Sequence, residues 1–137
     1  IKNGADAVLV GHLLITNVTG IFPASLSRKF ITKYLRVKYR YKGLIITDDL
    51  KMRAIRLIYG PRFAFKKAFE AGNDIIVFRY NQKEEEKCYL QIVNMVKENK
   101  INIGRINRSV KRILKLKQKY KLNNNTINGI RKYWWDK

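Results

Sequence analysis

The chain has 137 residues, enough for one ordinary domain, and its 30 lysines and arginines outnumber its 10 aspartates and glutamates, giving a formal net charge of +20. Its single cysteine, Cys88, excludes an internal disulfide and a site with several cysteine ligands to a metal. No apolar run approaches the roughly 18 residues that a membrane span needs, so we predict none in this sequence.

The charge raises the possibility of binding to a polyanion. The densest mixture of basic and aromatic residues, Lys38–Lys42, is short, and no zinc-finger, RNP-like or homeodomain pattern accompanies it. We therefore favour a solvated lysine-rich surface, produced by the codon bias of an AT-rich genome, and expect no specific nucleic-acid partner. A basic, non-catalytic module that binds nucleic acid or an anionic polymer is the alternative function.

The chain starts at Ile1 without an initiator methionine and reaches its first predicted strand, Ala7–Val10, almost at once. We expect that this start is a truncation of a longer protein. The next segment, Pro23–Ser27, precedes a predicted helix that begins near Arg28. The side chain of Ser25 or Ser27 would accept hydrogen bonds from the free amides at the start of this helix. The predicted apolar face of this helix consists of Phe30, Ile31, Tyr34, Leu35 and Val37.

The second predicted strand, Leu44–Ile46, follows Gly43 and is soon succeeded by two carboxylates, Asp48 and Asp49. Side chains alternate along a strand, so these two acids are not expected to point into one cleft. In one interpretation, one acid takes part in the chemistry of a site while the other caps or braces the following helix. In the other, both acids only cap that helix.

Three more helices and one more strand complete the prediction. A helix after the turn at residues 59–61 packs Phe65, Ala68 and Phe69 inward and stops at Gly72, and the third strand is Ile75–Phe78. The two later helices carry apolar residues at helical spacing: Tyr89, Leu90, Ile92, Val93 and Val96 in one, and Ile106, Val110, Ile113 and Leu114 in the other. Repeated strand-then-helix order predicts a parallel sheet of the α/β class.

Five motifs follow one another along the chain: GADAVLVGH at 4–12, PASLS at 23–27, GLIITDDLKM at 43–52, AFEAGNDII at 68–76 and INRSVKRIL at 106–114. Their order and spacing resemble the C-terminal half of the catalytic barrel of bacterial β-N-acetylhexosaminidases in glycoside hydrolase family 3. The resemblance covers residues 1–122 and implies the last three or so strands of a (β/α)8 TIM barrel, a partial catalytic domain. Residues 123–137, with Trp134 and Trp135, form a predicted weakly ordered tail whose tryptophans dock on the body or on a partner.

The resemblance also implies a reaction. Asp48 matches the family's catalytic nucleophile, which attacks the anomeric carbon and forms a covalent glycosyl-enzyme in retaining glycoside hydrolysis. The implied substrate is a glycan containing N-acetylglucosamine, derived from cell wall, and no cofactor or metal is implied. A truncated start would have lost any signal peptide, so bacterial cytoplasmic and secreted locations both fit, and the oligomeric state is left open.

Each of the remaining candidate residues has more than one interpretation. Asp49 is assigned a role in supporting the site or capping the helix. Met52 either matches a family position near the sugar pocket or packs in the core. His12 contacts substrate, supports the nucleophile or is a structural histidine at a strand end, and Arg53 and Arg56 add positive charge nearby. The resemblance places the general acid/base, a histidine paired with an aspartate, upstream of this chain, so we expect the isolated chain to be inactive.

Overall fold

The structure, a computed structural model, describes Ile1 and residues 3–122. Two strands and five α-helices follow one another with a short 3₁₀ turn and a π-helix between the strands. In chain order they are β1 (Ala7–Val10), α1 (Thr16–Thr19), the 3₁₀ turn (Ala24–Leu26), the π-helix (Lys29–Lys38), β2 (Leu44–Thr47), α2 (Arg53–Tyr59), α3 (Pro61–Ala71), α4 (Gln82–Lys97) and α5 (Ile103–Lys119). The predicted tail lies outside the described residues.

The two strands pair in parallel, with Ala7 opposite Leu44 and Val10 opposite Thr47, and this confirms the α/β class. β2 is buried along most of its length because helices cover it, which explains why its sequence is apolar without alternation. Gly43 is required where β2 begins, because a Cβ there would lie 2.5 Å from the Asp6 carbonyl oxygen and would also collide with the Tyr41 hydroxyl.

The predicted third strand, Ile75–Phe78, is wrong as a strand. Only Ile75 forms a parallel bridge, opposite Ile46, within the described part of the chain. Two residues later the Val77 amide donates to the Thr47 side-chain Oγ1 at 3.0 Å instead of to a ladder carbonyl. A side chain thus takes the place of the backbone acceptor, so the segment runs beside β2 without regular strand pairing.

The helix predicted near Arg28 is present but is wound as a π-helix, in which the Tyr39 amide donates to the Tyr34 carbonyl five residues back at 2.9 Å. Ser27 accepts the Phe30 amide at 3.2 Å, so Ser27 rather than Ser25 serves the helix start. The wider helical turn alters which side chains face inward. Ile31 is fully buried, whereas Val37, predicted to share its face, is exposed.

Two apolar clusters hold these elements together. One joins β1 and β2 to the π-helix through Val10, Ile31, Leu35 and Ile45. The other packs α2 and α3 against the 3₁₀ turn and the loop after β2, and its buried members are Leu26, Leu50, Ile55, Ala64 and Ala68. Gly72 ends α3 in the left-handed conformation, φ 108°, as predicted.

A buried aspartate, Asp74, ties three elements together where the chain enters its bridge with β2. Its carboxylate accepts hydrogen bonds from Arg36 of the π-helix and from Arg112 and Ser109 of α5. The Ile45 amide of β2 donates to the same group at 3.0 Å. The position of α5 therefore depends on polar contacts at least as much as on its apolar side chains, of which Val110 and Leu114 are exposed.

None of the helices within residues 3–122 has both the length and the apolar composition that crossing a membrane requires.

Candidate active site

The carboxyl ends of the two strands bring Asp48 and His12 to one edge of the sheet. Val10 and Thr47 are paired, so the residues that follow them leave the sheet side by side. The Asp48 amide donates to the Val10 carbonyl at 3.0 Å, which continues the pairing one residue beyond β2. In α/β folds this edge is where binding and catalytic side chains commonly collect.

The Asp48 side chain is partly buried and is oriented by its own neighbour. Its Oδ1 accepts the backbone amide of Asp49 at 2.8 Å. Neither Asp48 nor Asp49 caps α2, because the residue before that helix is Met52 and no side chain accepts its first amides. The interpretation of both acids as helix caps is therefore wrong.

The Asp49 carboxylate has other partners than that of Asp48. Its Oδ1 accepts the Lys51 amide at 3.0 Å, and its Oδ2 accepts Arg79 Nε at 2.8 Å. Burial by itself would raise the pKa of Asp49, but the Lys51 amide and the Arg79 guanidinium outweigh it and leave the pKa below its usual value. Asp49 is thus held as a carboxylate in an ion pair.

His12 connects the end of β1 to the turn after β2. Its Nε2 lies 3.0 Å from the Asp49 carbonyl oxygen and its Nδ1 lies 2.7 Å from the Ser25 hydroxyl. A carbonyl only accepts, so Nε2 carries the donated hydrogen, and in the neutral imidazole Nδ1 accepts from Ser25. Ser25 is fixed in turn by Asn73, whose side-chain amide donates to the Ser25 carbonyl at 2.8 Å.

These contacts converge on one residue, Asp49. His12 and the Met52 amide both donate to its carbonyl, and Arg79 and Lys51 hold its carboxylate. With the residue held at these groups, its amide hydrogen is fixed in the direction of Asp48 Oδ1. The arrangement can present one carboxylate in a defined orientation at the edge of the sheet, which is what a nucleophilic or electrostatic role requires.

Met52 does not pack in the core, because 46 % of its surface is exposed beside the turn that carries Asp48 and Asp49. Its position leaves it free to contact a bound molecule. Arg53 and Arg56 lie in the first two turns of α2, immediately beyond this segment, and both are exposed.

Ser25 and Arg79 are members of the site that the sequence did not reveal. Ser25 was predicted only as a possible helix cap, and Arg79 lies thirty residues from its partner Asp49. The one available signal is position, since Arg79 follows the apolar run that leaves the bridge with β2 at the same edge. Among the described residues, no group of three or more histidine, cysteine, aspartate or glutamate side chains could hold a metal ion.

Comparison with known proteins gives a consistent family match. Residues 1–116 match the model of the glycosyl hydrolase family 3 N terminal domain. Beta-hexosaminidase A of Pseudoalteromonas piscicida is 33 % identical over 105 residues, covering 72 % of this chain and 18 % of that protein. The chain spans about a third or less of the length of the first curated relatives it matches, 34 % and 18 %.

Solved structures agree with the sequence match. A family 3 β-N-acetylglucosaminidase from Paenibacillus sp. str. FPU-7 superposes with a TM-score of 0.78 at 37 % identity, over 86 % of this chain and 23 % of that one. A structure described as the β-glucoside phosphorylase BglX superposes with a TM-score of 0.77 at 26 % identity, over 88 % of this chain and 23 % of that one. The similar proteins thus differ in the sugar and reaction that their names give.

Proposed function

The chain belongs to glycosyl hydrolase family 3, and from that membership we propose that residues 1–122 form the last part of the catalytic barrel of a retaining β-N-acetylhexosaminidase. Its substrate would be a glycan ending in N-acetylglucosamine, derived from cell wall. The observation that carries the proposal is the position of Asp48, directly after β2 and oriented by the Asp49 amide. The N-acetylglucosamine specificity rests on the names of the hexosaminidase and glucosaminidase relatives.

In the proposed reaction, an Asp48 carboxylate oxygen forms a bond to the anomeric carbon while the bond from that carbon to the leaving oxygen breaks. The leaving oxygen takes a proton from a general acid. Water then gives a proton to the conjugate base of that acid, attacks the anomeric carbon of the glycosyl-enzyme and breaks its bond to Asp48, which regenerates both groups. Asp48 must approach the carbon in line with the leaving group. The fixed Asp49 amide limits how far the carboxylate can rotate, which favours that approach.

His12, Asp49 and Met52 have supporting parts in this proposal. His12 acts on the reaction indirectly, because both of its ring nitrogens are engaged by Ser25 and the Asp49 carbonyl. Asp49 braces the turn through Arg79. Met52, half exposed at the same turn, would contact the sugar.

We further propose that the isolated chain does not turn over substrate. Two titratable side chains at the same edge of the sheet, Asp49 and His12, are committed to the contacts that hold the turn. A missing general acid alone removes about 10²- to 10⁴-fold in rate. The general acid and the residues that grip the sugar would come from the remainder of the barrel.

The test is a chimera in which residues 1–122 replace the segment that they superpose on in the Paenibacillus enzyme. We expect the chimera to hydrolyse an aryl N-acetyl-β-glucosaminide, and Asp48→Asn to lower kcat by more than about 10³-fold. In Asp48→Gly, azide should restore turnover and give the α-glycosyl azide, because azide then attacks the anomeric carbon directly in place of the carboxylate.

The matched control is Asp49→Asn, which removes the neighbouring carboxylate but keeps the backbone amide. It should lower the rate less than Asp48→Asn and should gain nothing from azide. A folded chimera in which Asp48→Asn retains activity, or in which azide rescues Asp49 variants instead, would rule out Asp48 as the nucleophile. Turnover by the isolated 137-residue chain, abolished by Asp48→Asn, would contradict the proposed need for the rest of the barrel.

A further inference from the structure

An apolar groove of about 450 Å³ opens between α3, α4 and α5. Its walls include Phe65 and Phe69 of α3, Tyr89 and Ile92 of α4, and Ile103 and Ile106 of α5. Lys97 is the one charged side chain among the residues that line it. Two of the lining residues remain largely open to solvent, since Tyr89 is 63 % and Ile103 55 % exposed. A contiguous apolar surface of this kind is typical of a binding site.

We propose that the C-terminal segment of the same chain, Ile130–Trp135, occupies this groove, with Trp134 and Trp135 as its anchors. Four of its six residues are apolar or aromatic, the exceptions being Arg131 and Lys132, and it contains both tryptophans of the protein. Large aromatic side chains are the usual anchors in such grooves because each buries a large apolar area at a small cost in side-chain entropy.

The length of the tail fits this occupant and selects which part of it reaches the groove. The axis of α5 runs about 20 Å from Ile106 at the groove to its last residue, Lys119, and Leu122 stays near that end because its amide donates to the Lys117 carbonyl. An extended chain spans about 3.4 Å per residue, so Ile127 reaches only about 17 Å from Leu122, whereas Ile130 reaches about 27 Å and Trp134 about 40 Å. The segment from Ile130 onward is therefore the part that can lie in the groove.

Charge distinguishes this groove from a second cavity near the end of α5. A cavity of about 600 Å³ lies closer to the end of α5, at the amino ends of the strands. Five of its lining residues are basic, Arg40, Lys42, Arg112, Lys115 and Lys119, against one acid, Asp6. The tail itself is basic, with Arg131, Lys132 and Lys137 against Asp136. Like charges oppose docking there, and the groove between α3, α4 and α5 carries only one such charge.

Tryptophan fluorescence reports on the tail alone, because Trp134 and Trp135 are the only tryptophans of the protein. In the full-length chain we expect tryptophan emission shifted to shorter wavelength than that of a free peptide of residues 123–137, with several-fold weaker quenching by acrylamide. The double substitution Tyr89→Lys and Ile103→Lys should move both values to those of the peptide, because it puts two charges into the groove.

Three further variants make the assignment specific. Leu114→Lys places the same charge on an exposed position of α5 outside the groove and should change nothing, and Leu116→Lys in the basic cavity should likewise change nothing. Ile130→Lys alters only the tail, so it cannot unfold residues 1–122, and it should release the tryptophans as the groove variant does. Far-UV circular dichroism checks that each variant is folded.

The proposal fails if the full-length protein quenches like the peptide, or if Ile130→Lys leaves emission unchanged. It also fails if Leu116→Lys shifts emission while the groove variant does not, since the tail would then lie in the basic cavity. Loss of the wavelength shift on dilution would mean that the tail binds a second copy of the chain, which contradicts docking within one molecule.

Discussion

At the residue scale, the orientation of the candidate nucleophile depends on one neighbouring residue, Asp49. Asp49 donates its amide to Asp48 while His12 holds its carbonyl and Arg79 its carboxylate. A single hydrogen bond of this kind contributes about 0.5–1.5 kcal/mol net, so no one contact fixes the turn. Several of them on adjacent groups restrict its movement much more than any of them alone.

Cys88 is a second residue whose surroundings determine its chemistry. It is fully buried in α4, and burial, together with the nearby Glu84 carboxylate, raises the pKa of its thiol to about 11. At pH 8 only about one thiol in 10³ would be ionised. Because the thiolate is the reactive form, the folded protein is predicted to resist alkylation.

We therefore expect iodoacetamide to leave Cys88 unmodified over hours at pH 8 and to modify it fully in denaturing urea, as followed by mass spectrometry. A Cys88→Ser variant, which has no other thiol, provides the blank. Modification of the native protein at the rate of a free thiol would show that α4 opens readily or that the thiol is not enclosed as described.

At the element scale, Asp74 is the point through which the π-helix, β2 and α5 are joined. Burial lowers the pKa of Arg36, and the neighbouring Asp74 carboxylate counteracts this. The Asp74 side chain is 0 % exposed, and the side chains of Arg36 and Arg112 are 14 % and 28 % exposed. Removing the central charge would leave two largely enclosed guanidinium groups without their carboxylate partner.

The Asp74→Asn substitution should therefore lower the free energy of unfolding by about 3–5 kcal/mol, measured by urea denaturation followed by circular dichroism. Glu98→Gln is the matched control, because it removes a carboxylate from an exposed pair with Lys100 and should cost less than about 1 kcal/mol. Equal, small effects of both substitutions would mean that α5 is held by its apolar contacts alone.

The same elements show which features of the fold could be predicted from the sequence and which could not. The positions of β1 and β2 followed from short apolar runs, and Gly72 correctly marked the end of α3. The segment Ile75–Phe78 has an equally apolar sequence, but Thr47 Oγ1 takes a ladder bond there, which no local pattern records. Asp74 and its arginine partners are likewise 38 residues apart, so only the folded chain brings them together.

The candidate site divides in a similar way. Asp48 was identifiable because a strand delivers it to the sheet edge and the motif around it is characteristic. The roles of His12, Ser25 and Arg79 come from contacts across 13 to 37 residues, and these depend on the register of β1 against β2. A sequence pattern predicts what lies at a strand end but not which groups meet there.

At the scale of the whole molecule, the dominant property is the charge of +20. The basic side chains are spread over the helices, and several are already paired, such as Lys66 and Lys67 with Glu70 and Lys119 with Asp6. Five basic side chains line the cavity at the amino ends of the strands, at the opposite end of the strands from Asp48. Charge of this kind attracts any polyanion through counterion release without recognising its sequence.

The chain should therefore bind mixed-sequence duplex DNA at about 50 mM salt and lose about 10³-fold or more in affinity by 200 mM, as measured by fluorescence anisotropy. The triple substitution Arg40→Gln, Lys42→Gln and Lys115→Gln removes three of the five cations that line this cavity. Each cation that contacts a phosphate contributes about 0.9 to the slope of log affinity against log salt. If the remaining charge is spread over the surface, the loss of three cations should therefore lower this slope by no more than about 3. Binding that persists at high salt, or that distinguishes one sequence or polymer from another, would instead favour the alternative of a basic binding module over a charge that reflects composition alone.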